Sequence, residues 1–169
     1  DLTIAHSDAH KGVRNNHYYW EGLAITATGA VTGEARYLAW GRTMFDHAMG
    51  QIQADGSLPL EVARAGKALS YHLYAAAPLV MVASILDLQH PKLDRLVRFS
   101  SANVADPSTL QQMTGVSQEK PSRMPGWIAI YDRHATQPLS TEPPPANNWD
   151  ARMGGDRSLP NPLEHVRGT

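Results

Sequence analysis

Arg64, Lys67, Tyr71 and Tyr74 follow one another at spacings of 3, 4 and 3. Such steps keep side chains on one helix face, because seven residues make nearly two turns. A stripe of two cations and two phenols makes chemical sense beside an acidic substrate. A tyrosine phenol is ordinarily a proton donor at neutral pH. It becomes a base only where a neighbouring cation stabilises its anion. Arg64 is placed to do that for Tyr71, or to clamp a substrate carboxylate through its planar fork. The two roles compete for one guanidinium. The same stripe also reads as a solvated face whose tyrosines cover apolar neighbours. Gly66 places the helix start near Lys67, which leaves Arg64 on the preceding loop.

The second constellation is Asn15-Asn16-His17-Tyr18-Tyr19-Trp20. One reading is an asparagine N-cap followed by aromatics at a helix start. The other needs an amide to hold a carboxyl group and an imidazole to accept or move a proton. Either reading puts Asn16 and His17 at a cleft edge. His6-x-Asp8-x-His10 has the alternation of an extended metal-binding segment, but nothing around it supplies the further ligands a metal centre needs. No metal and no cofactor is expected. Phosphate loops, nucleophile elbows, dinucleotide fingerprints and zinc-helix motifs are absent from the sequence.

These residues need helices to hold them, and the pattern predicts helices almost throughout. The expectation is loop over 1–16, then a helix from His17 to about Val31 with Asn16 as its N-cap and Trp20, Leu23, Ala24 and Ala27 at helical spacing. Residues 34–53 form an amphipathic helix with Leu38, Phe45, Ala48 and Ile52 on one face, and Asp55-Gly56 and Pro59 force a turn. A third helix runs from near Lys67 to about Leu88, its alanines favouring helix over buried strand. Pro91 opens a fourth through about Val104, and short helices follow Asp106-Pro107 and span Gly126 to Arg133. Six of the 12 prolines lie at 138, 143, 144, 145, 160 and 162, so 135–169 reads as an extended tail packed on a helical domain of residues 1–134. The fold class is all-α, built from antiparallel helix hairpins.

Composition narrows the function. With 169 residues the chain is one domain in length, and 15 Lys+Arg against 16 Asp+Glu argue against nucleic acid as a partner. No cysteine is present, which removes disulfides, thiolate metal sites and thiol nucleophiles together. No apolar run is expected to reach a membrane span. Ten of the 12 aromatics are Tyr or Trp, whose flat faces with polar handles suit sugar rings.

Taken together, NNHYYW at 15–20 and LPLEVARAGKALSYH at 58–72 resemble the alginate lyases of polysaccharide lyase family 5, which cleave poly-mannuronate. The order Asn-His, then Arg, then Tyr, with 47 residues from His17 to Arg64 and 7 more to Tyr71, is similar to that family's spacing. ATGAVTGE at 27–34 and YHLYAAAPLVMVAS at 71–84 extend the likeness, and it weakens at 127–133 and 151–156.

The resemblance implies part of an (α/α) toroid and β-elimination on a polyuronate, with an acidic polysaccharide as partner. It assigns catalysis to Asn16, His17, Arg64 and Tyr71. Asn16, helped by Arg64, would neutralise the uronate carboxylate, and Tyr71 would donate a proton to the leaving oxygen and, on mannuronate, also act as base. His17 would neutralise charge or serve as base for guluronate. Asn15, Tyr18, Lys67 and Tyr74 would line subsites, with Tyr19 beside them. A bacterial enzyme exported to the periplasm or secreted is expected. The alternatives are a lyase on glucuronan or hyaluronan, a polyuronate-binding remnant without turnover, and a helical structural domain. Family members are longer, and their toroid closes with further N-terminal helices. The expectation is therefore a C-terminal half whose remainder is cut away or supplied by another chain.

Overall fold

A computed structural model describes residues 2–121, 126–139, 149–150 and 155–156. Eight helices are found among them: α1 (Leu2–Ala9), α2 (Asn16–Thr32), α3 (Ala35–Gln51), α4 (Pro59–Val62), α5 (Ala68–Leu86), α6 (Pro91–Ala105), α7 (Ser108–Thr114) and α8 (Trp127–His134). A 3-10 turn, Ala65–Lys67, leads into α5. Two two-residue strands, β1 (Trp149–Asp150) and β2 (Gly155–Asp156), pair antiparallel with Trp149 opposite Asp156. The rest of the expected tail lies outside the described residues.

At the centre stands α5, and its composition explains why. Leu69, Leu73, Leu79, Val80, Val82 and Ile85 face different directions, yet all are buried. A helix apolar all round must be surrounded. It packs against α2, α3, α4, α6, α7 and α8. Contrary to the expectation of no sufficiently apolar run, the stretch Ala65–Leu86 is long and apolar enough to cross a membrane, but most of it is buried within the protein. Neighbouring α6 shows the opposite design, burying Leu93, Leu96 and Val97 and exposing Asp94, Arg95 and Arg98. Its start is closed by Pro91 at the first position and by His90, whose ring Nδ1 accepts from the Lys92 amide at 3.2 Å.

The hairpin of α2 and α3 is the other main packing unit. Its helices approach closely where Gly41 faces Thr26: a Cβ at Gly41 would run into Thr26 Oγ1. The buried face of α2 is Tyr19, Leu23, Thr26 and Ala30, rotated from the expected one, and Ala24 is exposed. The pattern misled because Trp20 and Ala27 are only half-buried, whereas glycine and threonine fill the tight seam.

Two further expectations are corrected. Residues 2–9 form α1 rather than loop, held to the body by the Arg14 guanidinium donating to the Ser7 carbonyl (3.2 Å) and the Trp40 indole donating to Asp8 (3.1 Å). As a helix it turns His6 and Asp8, two residues apart, to different sides, so the alternation that suggested a metal is lost. No cluster able to hold a metal ion is found among the described residues. The N-cap of α2 is Asn15, not Asn16: Asn15 Oδ1 accepts from the His17 amide at 3.1 Å. That frees Asn16 for other work.

Candidate active site

With Asn15 as cap, Asn16 is the first residue of α2 and is wholly buried. Its backbone N–H donates to Glu61 Oε1 at 3.2 Å, and its side-chain Nδ2 lies 3.0 Å from both Glu61 oxygens. Glu61, in α4, is 1% exposed. A carboxylate at a helix N-terminus meets unpaired amides and the positive end of the helix dipole. One turn beyond, Arg64 Nε stands 3.7 Å from Glu61 Oε2. The Arg64 guanidinium carbon then lies 4.8 Å from the centre of the Tyr71 ring. A cation over a phenol face gains from the ring quadrupole. Asn16, Glu61, Arg64 and Tyr71 thus form one connected cluster from α2, α4, the turn and α5.

The turn that carries Arg64 is held from outside. Ala65 has φ 52, a left-handed conformation that costs an alanine roughly 1–2 kcal/mol. Gln118 stabilises it: its Oε1 accepts from the Leu69 amide at 3.0 Å and its Nε2 donates to the Ala65 carbonyl at 3.1 Å. The Glu119 amide adds a bond to the Gly66 carbonyl at 2.8 Å. Arg64 does sit ahead of the helix, as Gly66 suggested, and Lys67 is exposed on the turn.

Beyond Tyr71 on α5, Tyr74 is exposed and stacks against Trp20 of α2, ring centres 5.0 Å apart. Pro78 explains this pairing. Lacking an N–H, it leaves the Tyr74 carbonyl without its helical donor. The Trp20 indole N–H fills the gap at 3.2 Å. The buried Trp127 of α8 donates to the adjacent Leu73 carbonyl at 3.1 Å.

The other residues singled out in the sequence lie apart. His17 is exposed beside Asn16. Tyr18 packs under the Arg14 guanidinium (4.3 Å) and edge-on to Trp40 (5.4 Å) and His47 (5.5 Å), on the α3 side of α2. Burial raises its phenol above the ordinary value, although Arg14 pulls the other way. Tyr19 is buried, and burial, followed by the Glu61 charge, raises its phenol strongly, so it keeps its proton at neutral pH. Sequence reasoning passed over Glu61 and Gln118. The one available signal for Glu61 was its i, i+3 relation to Arg64, which on most helices marks only a surface pair.

A family model described as alginate lyase matches residues 1–113. A polysaccharide lyase of Stenotrophomonas maltophilia is 41% identical over 136 residues, covering 76% of this chain and 41% of that protein. An alginate lyase of Pseudomonas fluorescens is 30% identical over 179 residues, covering 92% and 46%. Among solved structures, a variant of alginate lyase A1-III complexed with a tetrasaccharide superposes with a TM-score of 0.72 at 23% identity, covering 88% of this chain and 47% of that one. Alginate lyase A1-III from Sphingomonas species A1 gives 0.68 at 25%, covering 85% and 45%. The chain spans somewhat less than half the length of the curated relatives it matches. The helical hairpins are those of the (α/α) toroid of alginate lyase A1-III. By its sequence and its fold, the chain belongs to the alginate lyase family.

Proposed function

We propose that this chain carries the catalytic residues of a lyase that cleaves alginate, with poly-mannuronate as the preferred stretch, by β-elimination. The observation that carries the reading is the Arg64 guanidinium lying over the Tyr71 ring, in one cluster with Asn16. In the elimination, a base removes the C5 proton of a uronate, the C4–O glycosidic bond breaks, and a C4=C5 double bond forms. The leaving oxygen takes a proton and becomes a new chain end. The C5 proton is acidic only when the neighbouring carboxylate is neutralised, because charge moves onto that carboxylate as the proton leaves. Fixed donors aimed at developing charge supply the largest part of such catalysis.

The Asn16 amide is turned towards Glu61, so Arg64 is the better holder of the uronate carboxylate, with exposed His17 beside it. The C5 hydrogen and C4 oxygen of mannuronate lie on the same side of the ring. Tyr71 is then both base and acid: as phenolate beside Arg64 it takes the proton, and as phenol it returns one to the leaving oxygen. Tyr74 with Trp20, and Lys67 on its turn, are the subsite candidates. A polymeric substrate outside the cell goes with export to the periplasm or the medium.

The test follows the ultraviolet absorbance of the new double bond with poly-mannuronate, poly-guluronate and hyaluronan, in the presence of a chelator. Absorbance should grow fastest on poly-mannuronate. Tyr71→Phe should lower kcat by about 10²–10⁴-fold, the range of general acid–base catalysis. A flat trace on all three polymers, or full turnover in Tyr71→Phe, rejects this mechanism. Polymer binding without turnover would point to a binding module.

A further inference from the structure

We propose that Glu61 is a positioning residue for this elimination, an inference that rests on the lyase reading: its buried carboxylate pins Arg64 by the Nε edge and fixes the Asn16 amide. A guanidinium has five N–H donors in a rigid fork, and a carboxylate offers about four acceptor sites. Glu61 Oε2 faces Arg64 Nε at 3.7 Å, while the two carboxylate oxygens together face Asn16 N and Nδ2 at 3.0–3.2 Å. An arginine held along that edge presents its two terminal nitrogens together, the geometry that grips a carboxylate bidentately. No hydrogen bond from those terminal nitrogens is found among the described residues, and the side chain is 37% exposed. One edge is thus engaged from inside while the other is left for substrate.

A second observation separates positioning from simple capping. Among the described residues, Asn16 Oδ1 is buried with no hydrogen-bond partner. An amide free to choose would not strand its oxygen away from every donor, because a buried unmet acceptor is unfavourable. Glu61 accepts only, so it draws Nδ2 towards itself and turns the oxygen away. The orientation of Asn16 is imposed by Glu61, and with it the placing of the whole α2 start against the Arg64 turn. Glu61 would touch no reacting atom and acts through these two residues.

Glu61→Gln keeps the volume but replaces one acceptor by a donor, which then opposes Arg64 Nε or Asn16 Nδ2. Its kcat should fall on the order of 10²-fold, the cost of misplacing a catalytic group by an ångström. KM should change far less than kcat, and circular dichroism should show intact helices. In an Arg64→Ala background, adding Glu61→Gln should cost clearly less than in the wild type, the remainder running through Asn16, since groups acting through each other are not additive. An unchanged kcat, or an equal proportional loss in both backgrounds, overturns the proposal.

A second measurement needs neither activity nor a folded variant. In the wild-type chain, the Arg64 Nε proton should exchange with water more slowly than that of Arg95, an exposed arginine whose side chain has no ion pair among the described residues. Equal exchange removes the pin and overturns the proposal. Slow exchange in a chain that cleaves no polyuronate would leave the pin standing and reject the lyase reading.

Discussion

Protonating His72 would set one N–H against another. Its Nε2 accepts from the Leu58 amide at 3.0 Å, so the ring carries its proton on Nδ1, which donates to the Ala68 carbonyl at 2.7 Å. Burial lowers its pKa below the ordinary 6.5, although the Ala68 carbonyl and Asp55 oppose the shift. His47 is lowered too, by burial and then by Arg14. A base depressed on folding contributes stability that is complete above pH 6.5 and is lost as pH falls towards the folded value. Asp55 responds further down: burial raises it, but hydrogen bonds from Ser57 win and hold it below 3.8, so its contribution is lost only in stronger acid. The urea midpoint should therefore drop between neutrality and pH 5. His72→Gln, whose Oε1 can take the Leu58 amide, should flatten that slope. An unchanged slope would mean that His72 does not govern it. Residues of this kind mark the limit of legibility. Arg64 and Tyr71 could be paired from their spacing, and they do touch. Nothing in the letters, however, tells the buried carboxylate of Glu61 from a solvated one, or the packed imidazole of His72 from the exposed one of His17.

Helices were largely legible because their apolar periodicity and their punctuation agree. Pro91 opens α6 as expected, while Gly33 in a left-handed conformation closes α2. What failed was whatever tertiary contacts alone decide. The short α1 buries only Ser7 and stands on its bonds from Arg14 and Trp40. The choice between Asn15 and Asn16 as cap fell to Glu61, 45 residues away. The Arg64 turn is the most exposed to such distant control. Gln118→Ala removes the bonds to Leu69 and Ala65 and leaves a left-handed alanine without its tether. It should cost about 0.5–1.5 kcal/mol in thermal unfolding for each hydrogen bond lost, the net range for an ordinary hydrogen bond. It should also weaken turnover more than binding, since the guanidinium swings with the turn. A loss of stability with kcat intact would show that the turn holds its shape without Gln118.

As a whole, the molecule is organised around one helix. Leu79 of α5 is fully buried. Leu79→Ala should cost roughly 2–5 kcal/mol, the range for large-to-small changes in a core. That is a large share of the 5–15 kcal/mol typical of a domain. The denaturant midpoint should shift with its slope unchanged, since the helices around α5 should unfold together. A much smaller shift would mean that the surrounding helices close over the gap. The all-α class and the hairpins were readable from the chain because α5 is too long and too rich in alanine for a strand. That α5 would lie inside the protein rather than in a bilayer was settled only by its neighbours. The interruption at Pro78 has an optical consequence. Two of the four tryptophans are bonded to successive carbonyls of α5, Trp127 in the dry interior and Trp20 at the half-exposed rim beside Tyr74. Their emission should differ in colour, blue from Trp127 and redder from Trp20. A sugar settling on Tyr74 would disturb only the red component, while melting of α5 would shift both, so the protein carries its own two-colour label.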